Sequence, residues 1–371
     1  MAQKTIRVFV TADIGREALD RLTRLGYDVE VYRDVEPPPK ELILHKVRGG
    51  IDALITTLRD KIDEDVFLAG VGTLKIVSQI AVGFDNIDRA AANRYHIPFA
   101  NTPDVLTEAT AEFALFMLGA VSRGLYQSEK LVEENKWGSW HPYHPFLGDE
   151  VTGKTVAIIG TGRIGKAFAK KCIGLDVDLL LYDPEIRDDQ FVARVTREML
   201  LRFENRFSTS LRSVRYVSFS EALARSDYVS LHVPLLVKGQ SVTPTYHLMN
   251  VEAFRRMKKT AYLINTSRGP VVDENALYHA LLNDEIAGAA LDVYETEPLP
   301  LVSPLRDSRL RHRLRLFHHF ASGTRETRLS GDPQVGMAGR CVQSVIDIIE
   351  GNHGGDPSRI PTVVNKEAFG G

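Results

Sequence analysis

A glycine pattern in the middle of the chain limits the possible folds more than any other feature. The stretch IIGTGRIGKAFAKKCIGLDVDLLLYD, from Ile158 to Asp183, carries Gly160, Gly162 and Gly165 as G-x-G-x-x-G. Alone the pattern is weak, because glycine is common and many isolated matches are ordinary turns. Its flanks decide the matter. TVAII, at 155–159, is a β-branched run suited to a buried parallel strand. After Gly165, Ala167, Phe168, Cys172 and Ile173 recur at helical spacing. DLLLYD then reads as a second buried strand ending in an acid, with Asp183 placed 23 positions after Gly160. That is near the interval expected for a carboxylate that holds a ribose. Strand, glycine turn, helix, strand, acid is the order of a dinucleotide-binding unit. The first glycine makes the turn, the second lets backbone approach a pyrophosphate, and the third lets helix pack on strand. The helix N-terminus turns its unpaired N–H groups toward the phosphates.

The rest of the composition narrows the class. With 371 residues the chain is long enough for two ordinary domains. It is 44% apolar and 25% charged, the balance of a globular protein. A net charge of −2 supplies no global field toward nucleic acid or membrane. The N-terminal apolar run is too short for the core of a signal peptide. FALFMLGAV, from Phe113, is too short to span a bilayer. A cytoplasmic protein is the expectation. Cys172 and Cys341, the two cysteines, fall in separate amphipathic patterns, which fits two buried thiols better than a disulfide framework.

The pattern predicts an α/β protein throughout. In the first hundred residues, TIRVFVT, YDVEVY, DALIT and LKIVSQI read as strands, and REALDRLTRLG and PPKELILHKVR as helices. From Leu106 to Leu131 the sequence predicts one long, mostly apolar helix. Beyond the glycine unit, YVSLHVPL, AYLINTS and GAALDVY are apolar strands that end in polar residues. Ligands of open parallel sheets bind beyond the carboxyl ends of strands, so His232, Ser267, Arg268, Asp292 and Glu297 are expected around one crevice. The C-terminal helix pattern and the tail IPTVVN are expected to return to the first domain. The 44 residues at 184–227 read as an insertion. In it Phe191, Val195, Met199, Phe203 and Phe207 recur every fourth position, predicting an amphipathic helix. Its arginines, from Arg187 to Arg215, alternate with acids, as on a solvated face rather than a phosphate or nucleic-acid patch. RDSRLRHRLRLF, from Arg306, reads the same way. His141 and His144 lack a carboxylate or cysteine partner at ligand spacing, so no metal is expected.

A dinucleotide site points to hydride transfer. Reducing a carbonyl needs a proton donor for its oxygen and a fixed substrate orientation. Histidine suits the first task near neutral pH, and a neighbouring carboxylate would hold its tautomer and raise its pKa. Arginine suits the second when the substrate bears a carboxylate. The strand ends offer Arg268, Glu297 and the pair His318-His319.

At these residues the chain resembles the D-isomer-specific 2-hydroxyacid dehydrogenases. The likeness runs through AVGFDNID, NTPDVLTEATAEFAL, GKTVAIIGTGRIG, LHVPL, INTSRGPVVDE, ALDVYETEPLP and ASGTRETR, in that order. It implies a doubly wound Rossmann domain at 103–319, binding NAD with NADP not excluded. It implies a smaller flavodoxin-like α/β substrate domain formed by 1–102 and 320–371. By resemblance, Arg268 binds the substrate carboxylate, Glu297 partners the histidine, and His319 is the acid/base. Val82 and Gly83 would offer backbone N–H groups to the substrate. Gly160, Gly162, Arg163, Ile164 and Gly165 would lie along the pyrophosphate. Asp183 would hold the adenosine ribose and Asp292 the nicotinamide amide. Thr107, His232, Pro234 and Thr266 would line the cofactor.

The family usually has Pro-His where this chain has His318-His319. ASGT sets the register on His319, and strand alternation would let only one of the two face the crevice. Glu295 is a rival for Glu297, but Pro298 matches the family's Glu-Pro. Ala157 replaces a family glycine. The implied activity is NAD(P)H-dependent reduction of a small 2-oxo acid of the glyoxylate or hydroxypyruvate type, giving the D-2-hydroxy acid, by a homodimer. The contrasting class is an NAD-sensing binding scaffold like the C-terminal-binding-protein corepressors, which share the fold.

Overall fold

A computed structural model describes residues 5–143, 145–239 and 241–370. The chain divides into two compact units, one ending at Leu106 and resuming at Gly323, the other running from Thr107 to Ser322. The first unit opens with β1 (Arg7–Val10), α1 (Arg16–Arg24), β2 (Asp28–Val31), α2 (Lys40–Arg48) and β3 (Ala53–Thr56). It continues with α3 (Glu64–Gly70), β4 (Ile76–Gln79), α4 (Arg89–Arg94) and β5 (Phe99–Ala100). The five strands pair in parallel in the order β2-β1-β3-β4-β5. That is the flavodoxin-like order. Val8, Val10 and Ile55 face one layer and Phe9, Leu54 and Val77 the other, so consecutive strand residues feed two different cores.

The second unit holds α5 (Thr107–Arg123), α6 (Leu125–Glu133), β6 (Thr155–Ile159), α7 (Arg163–Ile173), β7 (Asp178–Tyr182), α8 (Asp189–Glu204) and β8 (Val214–Tyr216). It continues with α9 (Phe219–Arg225), β9 (Tyr228–Leu231), α10 (Val251–Arg256), β10 (Tyr262–Asn265), α11 (Glu274–Leu282), β11 (Gly288–Leu291) and β12 (Leu314–Leu316). All seven strands are parallel, in the order β12-β11-β10-β9-β6-β7-β8. The chain goes from β6 outward to β8 and then returns to β9 on the other side of β6. This is the doubly wound Rossmann arrangement, with its reversal between β6 and β9. Helices α5, α7 and α8 cover one face through Ala114, Leu118, Phe168, Cys172, Phe191 and Val195. Helices α9, α10 and α11 cover the other through Leu223, Phe254, Leu277 and Leu281. Full burial of one such side chain is worth about 1.5–3 kcal/mol. In the first unit, α12 (Arg325–Leu329) and α13 (Met337–Ile349) follow, and α13 packs Ala338, Cys341, Val342 and Val345 on the β1–β3 face. Val363, in the tail, bridges Ala100 in β5.

Three expectations need correction. The long helix from Leu106 breaks at Gly124, whose left-handed φ of 60° caps α6 and ends α5 at Arg123. A side chain there would also meet the Phe146 ring at 2.7 Å. The segment 184–227 is not a simple insertion. It contains the crossover helix α8, the third sheet strand β8 and the next crossover helix α9. Strand β8 escaped detection because VRY is short and lies at the sheet edge, with Arg215 in its middle. Within α8 the inward face is Phe191, Val195 and Met199, but Phe203 near its end and Phe207 beyond it stand exposed, Phe207 at 71%. Finally, His318 and His319 lie beyond β12, so strand alternation does not govern them.

Cys172 and Cys341 are buried free thiols. His144 lies outside the described residues. No helix among the described residues is long and apolar enough to cross a membrane.

Candidate active site

The site is assembled where strands of the second unit end. At the close of β6 the chain turns through Gly160 with φ 97°. A Cβ on Gly160 would lie 2.7 Å from the His232 carbonyl at the end of β9. A Cβ on Gly165 would lie 2.0 Å from the Gly160 oxygen. Neither position admits a side chain. Gly162 is different: a Cβ there meets nothing of this chain within 4 Å. The backbone at Gly162, which caps α7, therefore borders open space at a helix N-terminus, where Arg163 and Ile164 begin the first turn. This is a cradle that a side chain would fill and that a pyrophosphate fits.

Asp183 follows β7 and is held by backbone. One carboxylate oxygen accepts Thr161 N–H at 2.7 Å, and the other accepts the N–H groups of Glu185 and Ile186 at 3.0 and 2.9 Å. Arg187 bonds Asp189 at 3.1 Å and lies over the Tyr216 ring at 5.7 Å. Other arginines of this segment also pair with acids, as in Arg202–Asp176 and Arg215–Glu221.

Two strand-end side chains carry buried polar atoms without a partner: His232 Nδ1 after β9 and Thr266 Oγ1 after β10. Burial drives the His232 imidazole down to about 3, so it is neutral near physiological pH, and its Nε2 lies 2.9 Å from Ser230 Oγ. Such atoms are costly to leave unpaired, which suits a ligand that lies over these strand ends. Pro234 is exposed beyond His232, and Thr107 opens α5.

The titratable residues gather around the ends of β10, β11 and β12. His319 Nδ1 lies 2.8 Å from Glu297 Oε2, while Glu297 Oε1 accepts Tyr294 N–H at 3.0 Å. Burial pushes the Glu297 carboxyl up, but the His319 hydrogen bond and charge, Tyr294 N–H and the Arg268 charge outweigh it and hold it below its ordinary value. Arg268 is half-buried, donates from Nη1 to Ser267 O at 2.7 Å, and precedes Gly269. A Cβ on Gly269 would lie 1.8 Å from Tyr294, so the turns carrying Arg268 and Glu297 touch backbone to backbone.

Asp292 is fully buried at the end of β11. Its carboxylate accepts Phe320 N–H at 2.6 Å and Ala321 N–H at 2.8 Å, and its carbonyl accepts His319 N–H at 2.8 Å. This grip holds His319 at a left-handed φ of 55°. Burial pushes the Asp292 carboxyl above its ordinary value, against the two N–H bonds and His319, and Glu297 adds to the rise. This hold on the histidine loop has no local signature, because the acceptor and donors lie 28 and 29 positions apart. His318 is exposed and stacks on Phe320 at 5.0 Å. Glu295 bonds not to His319 but to Glu274 N–H, at 3.0 Å.

Val82 and Gly83 belong to the first unit, just beyond β4. Val82 O accepts from Asn101 at 2.7 Å and Gly83 O from Gln79 at 2.5 Å. No cluster of metal-ligating side chains occurs among the described residues.

The family model for the D-isomer specific 2-hydroxyacid dehydrogenase NAD binding domain matches residues 115–319. A glyoxylate reductase of Korarchaeum cryptofilum is 42% identical over 323 residues, 87% of this chain and 88% of its own. A glyoxylate reductase of Thermofilum pendens is 39% identical over 98% of this chain and 95% of its own. Among solved structures, the TT0316 protein of Thermus thermophilus superposes with a TM-score of 0.80 at 33% identity, covering 97% of this chain and all of the other. A D-lactate dehydrogenase from Aquifex aeolicus, complexed with NAD and lactic acid, shares the fold at a TM-score of 0.74 and 24% identity, covering 97% of this chain and 99% of its own.

The glycines and the Glu297–His319 hydrogen bond lead to two expectations. Gly162→Ala should fold with an unchanged Tm but raise KM for the nicotinamide cofactor, whereas Gly165→Ala should lower Tm or abolish folding. Thermal melts and steady-state kinetics on both variants check this. Because the Glu297 carboxyl is depressed, its contribution to stability is fully present above its ordinary 4.5 and is lost as pH falls through the lower folded value. The unfolding free energy of the wild type should therefore fall more steeply than that of Glu297→Gln as pH drops from 4.5 through that lower value, as measured by urea titration.

Proposed function

The chain belongs to the D-isomer specific 2-hydroxyacid dehydrogenases, and within that family we propose that it is an NADH-dependent reductase of glyoxylate or hydroxypyruvate. Membership makes it an NAD(P)-dependent oxidoreductase that interconverts 2-oxo acids and D-2-hydroxy acids. The small substrate is inferred from the relatives named glyoxylate reductase. The observation that carries the chemistry is the 2.8 Å bond between His319 and Glu297, whose charge environment includes Arg268.

When bound, the nicotinamide supplies the hydride. The chain's own groups do the rest. Arg268, a planar and permanently charged fork, grips the substrate carboxylate and so fixes the adjacent carbonyl. Glu297 takes the Nδ1 side of His319, which sets the tautomer and assigns delivery of the proton to Nε2. The protonated ring gives that proton to the carbonyl oxygen as it becomes an alkoxide. The Asp292 grip keeps the ring in place through the step. For the cofactor, Gly160 to Gly165 accommodate the pyrophosphate. The Asp183 carboxylate accepts from a ribose 2′-hydroxyl and repels a 2′-phosphate. Arg187, exposed and bonded to Asp189, is the counterweight to that repulsion.

A panel of 2-oxo acids with NADH and NADPH tests the assignment. Glyoxylate and hydroxypyruvate should give the highest kcat/KM, with NADH preferred. Higher kcat/KM with NADPH would overturn the cofactor preference, and NADH binding without turnover of any panel member would favour a binding scaffold. Reduction should fade as pH rises, and Glu297→Gln should move the fade to lower pH. His319→Ala should cost about a hundredfold or more, and His318→Ala little. Arg268→Ala should penalise glyoxylate far more than an aldehyde without a carboxylate.

The partner is a second copy of the chain. Phe116 on α5, Leu125 on α6, and Trp137, Trp140, Tyr143 and Leu147 beyond it are exposed, Trp140 at 83%. So many large apolar side chains on one element pair and its following loop exceed what a monomer ordinarily leaves in water. Sedimentation equilibrium should give twice the chain mass, and Phe116→Arg with Trp140→Arg should shift it toward the monomer.

A further inference from the structure

The Glu297–His319 pair is only as well placed as the loop that carries Glu297. That loop runs from Asp292, at the end of β11, to Pro298. Within it Glu297 is anchored by Tyr294 N–H, a bond inside the loop itself. The loop's outer fastening is a reciprocal pair of bonds with the start of α11. Glu274 Oε1 accepts Glu295 N–H at 2.8 Å, and Glu295 Oε1 accepts Glu274 N–H at 3.0 Å. Asp273 in turn caps α11 by accepting Ala276 N–H at 2.9 Å, so Glu274 stands on a fixed helix end.

We infer that Glu274 and Glu295 form a clasp that positions Glu297 against His319, making Glu274 a positioning residue for proton transfer. The inference rests on the reading of Glu297 as the partner of His319. Two features favour it over an ordinary loop fastening. A hydroxyl or amide side chain could accept the same N–H bonds without charge. Here two carboxylates flank a third, an arrangement that costs electrostatic free energy. That cost is visible at Glu274, where burial and the charges of Glu295 and Glu297 push the carboxyl above its ordinary value. The clasp also continues outward. His247 Nε2 lies 3.2 Å from Glu295 Oε1 and its Nδ1 3.9 Å from Asp273, with the Tyr246 ring stacked on it at 4.0 Å. The titratable and charged groups around Glu297 are then Arg268 after β10, Asp292 after β11, His319 after β12, Glu274 on α11 and Glu295 in its own loop. His247 and Asp273 face Glu295 from behind.

A clasp of this kind acts through alignment. A carboxylate displaced by about 1 Å no longer fixes the imidazole, and misplacement on that scale can cost about a hundredfold in rate. Glu274→Ala removes the acceptor for Glu295 N–H. Glu274→Gln keeps an acceptor oxygen there and removes only the charge.

The test measures kcat, KM for NADH and the pH profile of glyoxylate reduction in full-length Glu274→Ala, Glu274→Gln, Glu297→Gln and the double variant Glu274→Ala/Glu297→Gln. Glu274→Ala should lower kcat about tenfold or more, leave KM for NADH unchanged and move the profile in the same direction as Glu297→Gln. Glu274→Gln should recover most of the activity. The double variant should be no slower than Glu297→Gln alone, because Glu274 works only through Glu297. A lowered Tm with an unmoved profile, or additive losses in the double variant, would overturn the proposal alone. If Glu297→Gln itself leaves the profile unmoved, the pairing of Glu297 with His319 fails and the clasp's role fails with it.

Discussion

Three backbone segments of the second unit meet where no side chain could fit between them. The Gly165 position on α7 touches the carbonyl of Gly160, and Gly160 touches the carbonyl of His232 beyond β9. This close approach lets α7 start directly above the end of β6, at the place where strand order reverses. The consequences spread from there. The helix N-terminus faces open space at Gly162. Neighbouring strands leave polar residues at the same edge of the sheet, because all seven run in one direction. A parallel sheet therefore concentrates chemistry at one edge, while its faces are mainly apolar.

At that edge the protein relies on carboxylates for three different tasks. Asp183 accepts three backbone N–H groups around the turn after β7. Asp292, fully buried, accepts two from the loop after β12 and so fixes the backbone of His319. Glu297 is directed at the imidazole of His319. The differing shifts follow from these surroundings. Glu297 sees a histidine and an arginine and is held down, whereas Asp292 is desolvated with mainly neutral donors and is pushed up. Residues of one chemical type along one sheet edge thus differ in what they hold and in how they titrate, and environment separates them.

The arginine-bearing segment shows how regular structure can hide inside an irregular sequence. Its period-four apolar pattern marks α8, and Phe191, Val195 and Met199 do pack inward. The last two members of the pattern do not: Phe203 is exposed in the last turn, and Phe207 lies beyond the helix, which ends at Glu204. The strand that follows is three residues long and pairs on one side only. An edge strand needs no apolar run on both faces, so VRY with a central arginine can pair with β7 and leave Arg215 bonded to Glu221.

Local chemistry was enough to read the glycine unit, the buried strands and the acid after β7, because glycine spacing, β-branched runs and strand length are properties of short segments. Arg268, Glu297 and His319 were legible as residue types beyond strand ends, and the roles proposed for them come from the resemblance. The sequence could not reveal what turns these into one constellation. His319 reaches Glu297 because its backbone is left-handed, and that conformation is held by an aspartate 27 positions earlier in the chain, through a bond to Phe320. The break at Gly124 and the touching turns at Gly269 and Tyr294 likewise depend on what lies opposite each glycine. Segments announce their own conformation through neighbours three or four residues away. Contacts between strand ends depend on the order in which strands assemble, and that order exists only once the sheet has formed.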